Sequence, residues 1–301
     1  MSLIDPTPRE LGPGLSAGPL GFGLWRYVHA DVGHATEVLE AALDSGLTLV
    51  DAADVYGFDW GGAGFGAVES LLGKVLAGRP DLRDRMILAS KGGIAPPVPY
   101  DSSATHLRSA CEASLTRLGV DRIDLYQVHR PDLLAHPAEV ANTLMTLASE
   151  GKIGLIGVSN HSPPQHRALA RHLDAAHPIA ATQPEYSATH LDPLRDGTFD
   201  LCMEQNMTPI VWSPLAGGSL AGGEGVSVEL LMVLDRLAER EAVDRATLAL
   251  AFTIAHPSRP IALIGSQTPE RIASLTRAID VTLDRNDVYD LIEASQGEPL
   301  P

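Results

Sequence analysis

Residues 102–160 read SSATHLRSACEASLTRLGVDRIDLYQVHRPDLLAHPAEVANTLMTLASEGKIGLIGVSN, and the order of segments within them decides the fold. An amphipathic segment, Ser102–Leu118, is closed by Gly119 and followed by a short apolar run, Ile123–Val128. A second, Ala138–Glu150, is closed by Gly151 and followed by Ile153–Val158. Ser102 and Ser103 are of the type that caps a helix start. A glycine just past the last turn ends a helix because it enters the left-handed region without a Cβ penalty. Neither apolar run alternates strictly, as expected of strands buried on both faces. Helix, strand, helix, strand is the grammar of a parallel β/α sheet.

The same grammar extends outward in both directions. Apolar runs at Pro19–Trp25, Leu47–Ala52 and Met86–Ser90 precede the stretch, and Ile179–Thr182, Pro209–Trp212 and Ile261–Ile264 follow it. Helical spacing fills the intervals at His34–Ser45, Ala67–Ala77, Pro164–Leu173, Thr198–Asn206, Val228–Glu241, Arg245–Ala255 and Glu270–Ile279. Eight strand–helix units are the number that closes into a barrel. The chain is therefore predicted to be a (β/α)8 TIM barrel of eight parallel strands with outer helices. An extra C-terminal helix is expected around Asn286–Ala294, and a Gly-rich excursion at Ala216–Gly225 after the seventh strand. No composition break marks a linker, so residues 1–301 read as one domain.

A hydrophobic content of 45% and a charged content of 20% suit a soluble globular protein. A net charge of −16 argues against a nucleic-acid partner, whose phosphates would be repelled. It leaves room for a small anionic ligand held by a few amides and cations. Cys111 and Cys202 have no partner at metal-ligand spacing and read as small buried apolar residues. The opening MSLIDPTPRELGPG lacks a basic stretch followed by an apolar core, so no signal peptide is expected. No apolar run approaches the roughly 18 residues of a membrane span. A cytoplasmic protein is expected.

Barrels of this kind build their chemistry at the C-terminal ends of the strands. Here the second strand ends in Asp51 with Tyr56 close behind, the third at Lys91 and the fourth at His129. Each alone has a mundane reading: a solvated lysine, a barrel-mouth histidine, a loop tyrosine, an aspartate bonded to backbone. Four ionisable types at adjacent strand ends make a more specific set. A phenol with a reference pKa near 10 is a poor acid at neutral pH. A neighbouring ammonium favours the phenolate, a carboxylate fixes the ammonium, and a histidine orients a carbonyl. The set suits carbonyl reduction or alcohol oxidation. No Gly-x-Ser-x-Gly elbow surrounds Ser159 or Ser213, and no His-x-His or His-Glu-x-x-His motif supports a metal site, so none is expected.

At this point the chain resembles the aldo-keto reductase superfamily over nearly its whole length. The resemblance rests on residues 20–25 (LGFGLW), 51–57 (DAADVYG), 69–73 (ESLLG), 90–91 (SK) and 115–132 (LTRLGVDRIDLYQVHRPD). It continues at 157–160 (GVSN), Gln183, 212–215 (WSPL) and 264–271 (IGSQTPER). The chain is most like bacterial members without an assigned physiological substrate. The resemblance implies Tyr56 as general acid, Asp51 and Lys91 as its supporting pair, and His129 as the residue that orients the substrate. Ser159, Asn160 and Gln183 would hold the nicotinamide carboxamide, and Trp212 would stack on the ring where tyrosine is common in the family. Ser213, Leu215 and Gly217 would follow the pyrophosphate, and Ser266, Gln267, Thr268 and Arg271 would face the 2′-phosphate of NADP. Gly265 stands where many members are basic, and Ser274 and Leu275 replace a Glu-Asn pair that often touches adenine. Arg271 still favours NADPH over NADH, because a guanidinium pairs with a phosphate through two hydrogen bonds.

Residues 62–67 (GAGFGA) fit a dinucleotide-binding pattern, but nine residues separate them from the strand end at Ala52 and the next strand ends in Lys91. A loop is expected there. Trp25, Phe58, Trp60, Phe65 and Tyr100 fall in or beside the loops after the first three strands. They either line an apolar substrate mouth, with Trp25, Phe58, Trp60 and Tyr100 as its members, or pack their own loops. The expected partner is a small carbonyl compound. The rival expectation is an NADPH-binding sensor subunit on the same fold with little turnover, since fold does not fix function.

Overall fold

A computed structural model describes residues 2–29, 31–58 and 61–301. The eight apolar runs become eight parallel strands: β3 (Leu20–Gly23), β4 (Leu49–Asp51), β5 (Ile87–Gly92), β6 (Ile123–Val128), β7 (Ile153–Ser159), β8 (Ile179–Gln183), β9 (Thr208–Val211) and β10 (Ile261–Ile264). They close into a barrel in the order β10-β3-β4-β5-β6-β7-β8-β9. The outer helices are α1 (Val32–Asp44), α2 (Ala67–Gly78), α3 (Ala104–Leu118), α4 (Pro137–Ser149), α5 (Pro163–Ala170) and α6 (Thr198–Gln205). After the short α7 (Ser219–Gly222) in the Gly-rich excursion come α8 (Val228–Arg240), α9 (Arg245–Ile254), α10 (Pro269–Leu275) and the C-terminal α11 (Arg285–Gln296). The α11 helix packs on α8 outside the barrel, where Arg240 of α8 forks onto Asp287 of α11. Among the described residues no helix is long and apolar enough to cross a membrane.

Local chemistry sets the helix ends. The Ser103 hydroxyl accepts from the His106 amide at the start of α3, and Ser162 with Gln165 forms a capping box on α5. Gly119 closes α3 at φ 68°, in the left-handed region.

One element escapes the sequence pattern: an antiparallel hairpin of β1 (Arg9–Gly12) and β2 (Leu15–Ala17) ahead of the barrel. Its Leu11 and Ala17 join Leu49, Ile87, Leu125, Ile210 and Ile261 in one apolar cluster inside the barrel. The Thr208 hydroxyl donates to the Glu10 carbonyl at 2.8 Å, tying the hairpin to the start of β9. The hairpin thus plugs the N-terminal end. Gly12 lies close to β7: a Cβ there would come within 2.7 Å of a terminal methyl of Leu155, which would have to shift. With one end filled by apolar side chains, access is left to the other.

Candidate active site

Successive side chains on a strand alternate in direction, so residues two apart share a face. Leu49 and Asp51 on β4, Ala89 and Lys91 on β5, Leu125 and Gln127 on β6, and Ala181 and Gln183 on β8 make four such pairs. In each pair the first member belongs to the apolar plug and the second, one step toward the C-terminal end, is polar. Asp51, Lys91, Gln127 and Gln183 therefore form a buried polar layer directly above the apolar one.

Lys91 is its hub. The Nζ donates to Asp51 Oδ2 at 2.6 Å, to the Ala52 carbonyl at 2.9 Å and to the Tyr56 hydroxyl at 2.9 Å, which uses all three ammonium protons. Burial alone penalises that ammonium. The Asp51 carboxylate and the Tyr56 oxygen offset the penalty, and the pKa ends above the ordinary lysine value. Asp51 in turn accepts from Gln183 Nε2 at 3.0 Å and Gln127 Nε2 at 3.3 Å on its other oxygen. Gln127 went unnoticed in the sequence because it lies inside a strand, not at its end. Gly157, its neighbour on β7, leaves it room: a Cβ there would stand 2.9 Å from the Gln127 side chain.

Tyr56 departs from one expectation. Lys91 does pull its pKa down, but burial pushes harder in the other direction, and the phenol ends above its ordinary value. The side chain is therefore a protonated phenol at neutral pH, hydrogen-bonded to a charged ammonium. His129 faces it edge-on with ring centroids 5.9 Å apart. Burial, then the Lys91 and Arg130 charges, hold the imidazole pKa well below the usual histidine value, so the ring is neutral. Its Nδ1 is buried without a partner among the described residues. A carbonyl oxygen placed between Tyr56 and His129 would meet a phenol with a proton to give and a neutral ring able to donate a hydrogen bond.

A second buried cluster lies behind Lys91. Glu69 of α2 is fully buried and takes the Arg117 guanidinium at 2.7 Å and the Ser90 hydroxyl at 2.5 Å. Asp54, also fully buried, has no side-chain hydrogen-bond partner among the described residues, and burial together with Glu69 pushes its pKa up to about 8. Gly66 of residues 62–67 leaves room for this cluster. A Cβ on Gly66 would come within 2.5 Å of the Arg117 side chain, and Phe65 lies 5.9 Å from its guanidinium. The segment is a loop, as expected, and Phe65 packs within it.

Around the rest of the rim the other expected residues gather in groups. Asn160, at φ 58°, donates to Ser159 Oγ at 2.8 Å and accepts from Trp212 Nε1 at 3.0 Å, while Ser159 Oγ donates to the Gln183 carbonyl at 3.0 Å. Ser213 Oγ accepts from the Gly217 amide at 3.1 Å, and Leu215 is half-buried against the core. The Thr268 amide donates to Ser266 Oγ at 3.3 Å. Gln267 is engaged by His29, which the sequence did not single out: His29 Nε2 lies 2.7 Å from Gln267 Oε1. Arg271 is exposed on α10, and among the described residues no carboxylate pairs with it. Trp25, Phe58 and Tyr100 are exposed on the loops after β3, β4 and β5; Trp60 lies outside the described residues.

The comparisons with known proteins agree with this geometry. The sequence profile described as the Aldo/keto reductase family matches residues 19–296. A 6-dehydroglucose reductase of Novosphingobium aromaticivorans is 45% identical over 99% of this chain and 98% of its own. A 6-dehydroglucose reductase of Agrobacterium fabrum is 31% identical over 93% of this chain and 94% of its own. The crystal structure of a thermostable aldo-keto reductase in complex with the inhibitor epalrestat superposes with a TM-score of 0.81 at 24% identity, covering 96% of this chain and 99% of the other, a likeness of fold. The chain belongs to the aldo/keto reductase family, whose members are oxidoreductases acting on small carbonyl compounds.

Proposed function

We propose that this protein is an NADPH-dependent reductase that converts an aldehyde to a primary alcohol with Tyr56 as the proton donor. The observation that carries the reading is the Asp51–Lys91–Tyr56 chain, buried at its base and ending in a protonated phenol that faces a neutral imidazole. The substrate we infer is a sugar aldehyde of the kind named for the two relatives, 6-dehydroglucose, in which an aldehyde replaces the primary alcohol at C6.

The rim residues fit a nicotinamide dinucleotide. Ser159, Asn160 and Gln183 stand together beside the flat face of Trp212, a polar group that suits a carboxamide. Ser213, Ala216, Gly217 and Gly218 all have positive φ, and nothing lies within 4 Å of a Cβ built on Gly217 or Gly218. The segment thus carries no side-chain bulk at Gly217 and Gly218, which suits a pyrophosphate lying along it. The unpaired Arg271, with Ser266, Gln267 and Thr268 beside it, would take the 2′-phosphate, and this supports NADPH over NADH.

The bound cofactor would supply the hydride to the carbonyl carbon. The protein's part is the proton. His129, kept neutral, donates a hydrogen bond to the carbonyl oxygen and aligns it with Tyr56 Oη. Tyr56 gives its proton to the oxygen as negative charge develops there, and the phenolate left behind is stabilised by the Lys91 ammonium at 2.9 Å. Lys91 stays charged because Asp51 holds it, so the donor is poised without being ionised beforehand.

Steady-state NADPH oxidation with 6-dehydroglucose and a panel of simpler aldehydes tests the reading. Tyr56→Phe is expected to lower kcat by about 10²–10⁴, the range of general acid catalysis, with NADPH affinity unchanged within a few-fold. An unchanged kcat refutes the assigned proton donor. Tight NADPH binding without turnover of any aldehyde would return the chain to a cofactor-sensing role.

A further inference from the structure

Arg130 follows His129 at the barrel rim, and like Arg271 it has no carboxylate partner among the described residues. The protein is acid-rich, with 38 Asp and Glu against 22 Lys and Arg, and many of its arginines are neutralised. Arg79, Arg83, Arg85, Arg108, Arg117 and Arg240 all pair with carboxylates. Arg130 does not. Among the described residues its guanidinium has no carboxylate or carbonyl partner, and its one contact is a ring, with the guanidinium carbon 5.8 Å from the centroid of Trp212. The nearest acid in sequence, Asp132, is spent elsewhere: one of its oxygens accepts from the Ser102 amide at 2.8 Å and the other from the Leu134 amide at 2.9 Å. Half-buried, Arg130 presents up to five N–H donors toward the rim with no protein acceptor for them.

Its position relative to the chemistry follows from its neighbours. It adjoins His129, whose ring centroid stands 5.9 Å from that of Tyr56, and its guanidinium lies 5.8 Å from the Trp212 ring. An arginine without a protein acceptor there leaves a rigid, always-charged fork of donors at the rim beside the proposed substrate site. A plain aliphatic aldehyde gives such a fork nothing to bind, and its donors stay in water. An aldehyde with hydroxyl or ether oxygens beside the carbonyl supplies the acceptors that the protein withholds.

We propose that Arg130 is the substrate-anchoring residue of this site, selecting aldehydes that carry an oxygen on the one or two carbons next to the carbonyl. The proposal rests on the reductase reading above and names the residue that reads the substrate. In 6-dehydroglucose the carbon next to the aldehyde carries the ring oxygen, and the carbon after it a hydroxyl. Both are oxygens that a guanidinium fork can take together.

D-glyceraldehyde and propanal, equal in carbon count and differing only in hydroxyls, separate anchoring from any general role. Arg130→Ala is expected to lower kcat/KM about 10- to 150-fold for D-glyceraldehyde and for 6-dehydroglucose, the worth of a hydrogen bond to a charged group. The loss should be at least about fivefold greater for D-glyceraldehyde than for propanal, whose turnover reads the part due to the lost charge beside His129 and Tyr56, and the NADPH dissociation constant, read by fluorescence quenching, should hold. Should Arg130→Ala disturb NADPH binding, Arg130→Lys, which keeps a cation near Trp212, carries the same comparison. Equal losses on glyceraldehyde and propanal, or no loss on either, overturn the anchor while leaving the reductase standing. Wild-type enzyme that oxidises NADPH with none of the three aldehydes overturns both.

Discussion

Asp51 and Asp54 stand three residues apart at the end of the same strand, both out of contact with water, and their carboxyl groups live in opposite surroundings. Asp51 takes an ammonium at 2.6 Å and two amides at 3.0 and 3.3 Å. Asp54 takes no ammonium and no side-chain amide among the described residues, and burial, with Glu69 close by, raises its pKa to about 8. Burial alone drives an acid to hold its proton, whereas burial among donors lets a carboxylate serve as one half of an ion pair. The first aspartate belongs to the chain proposed to donate the proton, and the second is a neutral acid packed behind it.

The comparison breaks most visibly at Asp51. Asp51→Asn leaves the Lys91 ammonium buried without its carboxylate, a change that costs about 3–5 kcal/mol of stability when one partner of a buried pair is removed. It also frees Lys91 to lose its proton, and with it the charge that stabilises the Tyr56 phenolate. Denaturant titration should show that loss of stability, and kcat should fall toward the level of Tyr56→Phe. If Asp51→Asn keeps both wild-type stability and wild-type kcat, the buried ion pair has no function.

Asp54→Asn is expected to do the reverse. The folded protein must keep Asp54 protonated up to about pH 8, whereas the unfolded chain releases that proton near 3.8, the ordinary aspartate value. A folded pKa raised above the unfolded one means that the contribution to stability is fully present below pH 3.8 and is lost as pH rises toward 8. Removing the titration therefore stabilises the fold by an amount that grows with pH. The slope is about 1.4 kcal/mol per pH unit between those limits, until it levels off above pH 8. Thermal unfolding at pH 5, 6, 7 and 8 reads it directly, and kcat at pH 7 should stay within a few-fold. A Tm difference independent of pH would mean that Asp54 is ionised in the fold, and the contrast with Asp51 would fall.

Much of this arrangement was legible in the sequence, for physical reasons. Parallel barrel strands are buried on both faces and read as apolar runs, so Ile123–Val128 and its seven counterparts stand out, and serine caps and glycine stops frame the helices. Asp51, Lys91, His129 and Gln183 were visible because each ends an apolar run. The plug of β1 and β2 was not, since Leu11 and Ala17 sit in strands of four and three residues, too short for a pattern. Depth was also invisible: the Lys91 charge suggests a Tyr56 pKa below its ordinary value, and only the buried setting shows why it ends above. Nor do residues 62–67 disclose that Gly66 is small to admit Arg117.

Gln127 lies at the boundary of what a pattern can reveal. Within the run IDLYQV it looks like one polar interruption of a strand, yet it shares the inward face with Leu125 and meets Asp51 at 3.3 Å. Gln183 meets the same oxygen at 3.0 Å but also stands beside Ser159 at the rim, so replacing it would confuse support of Asp51 with cofactor binding. Gln127 touches the polar layer alone. Gln127→Leu is therefore the finer probe: it removes one long hydrogen bond to Asp51 and leaves the shorter one and the ammonium in place. A loss of about 1 kcal/mol is expected, which corresponds to roughly a fivefold fall in kcat with no change in NADPH affinity. A fall as deep as that of Asp51→Asn would mean that the second amide, not the ammonium, decides how Asp51 is held. No fall at all would mean that Lys91 and Gln183 hold it without help.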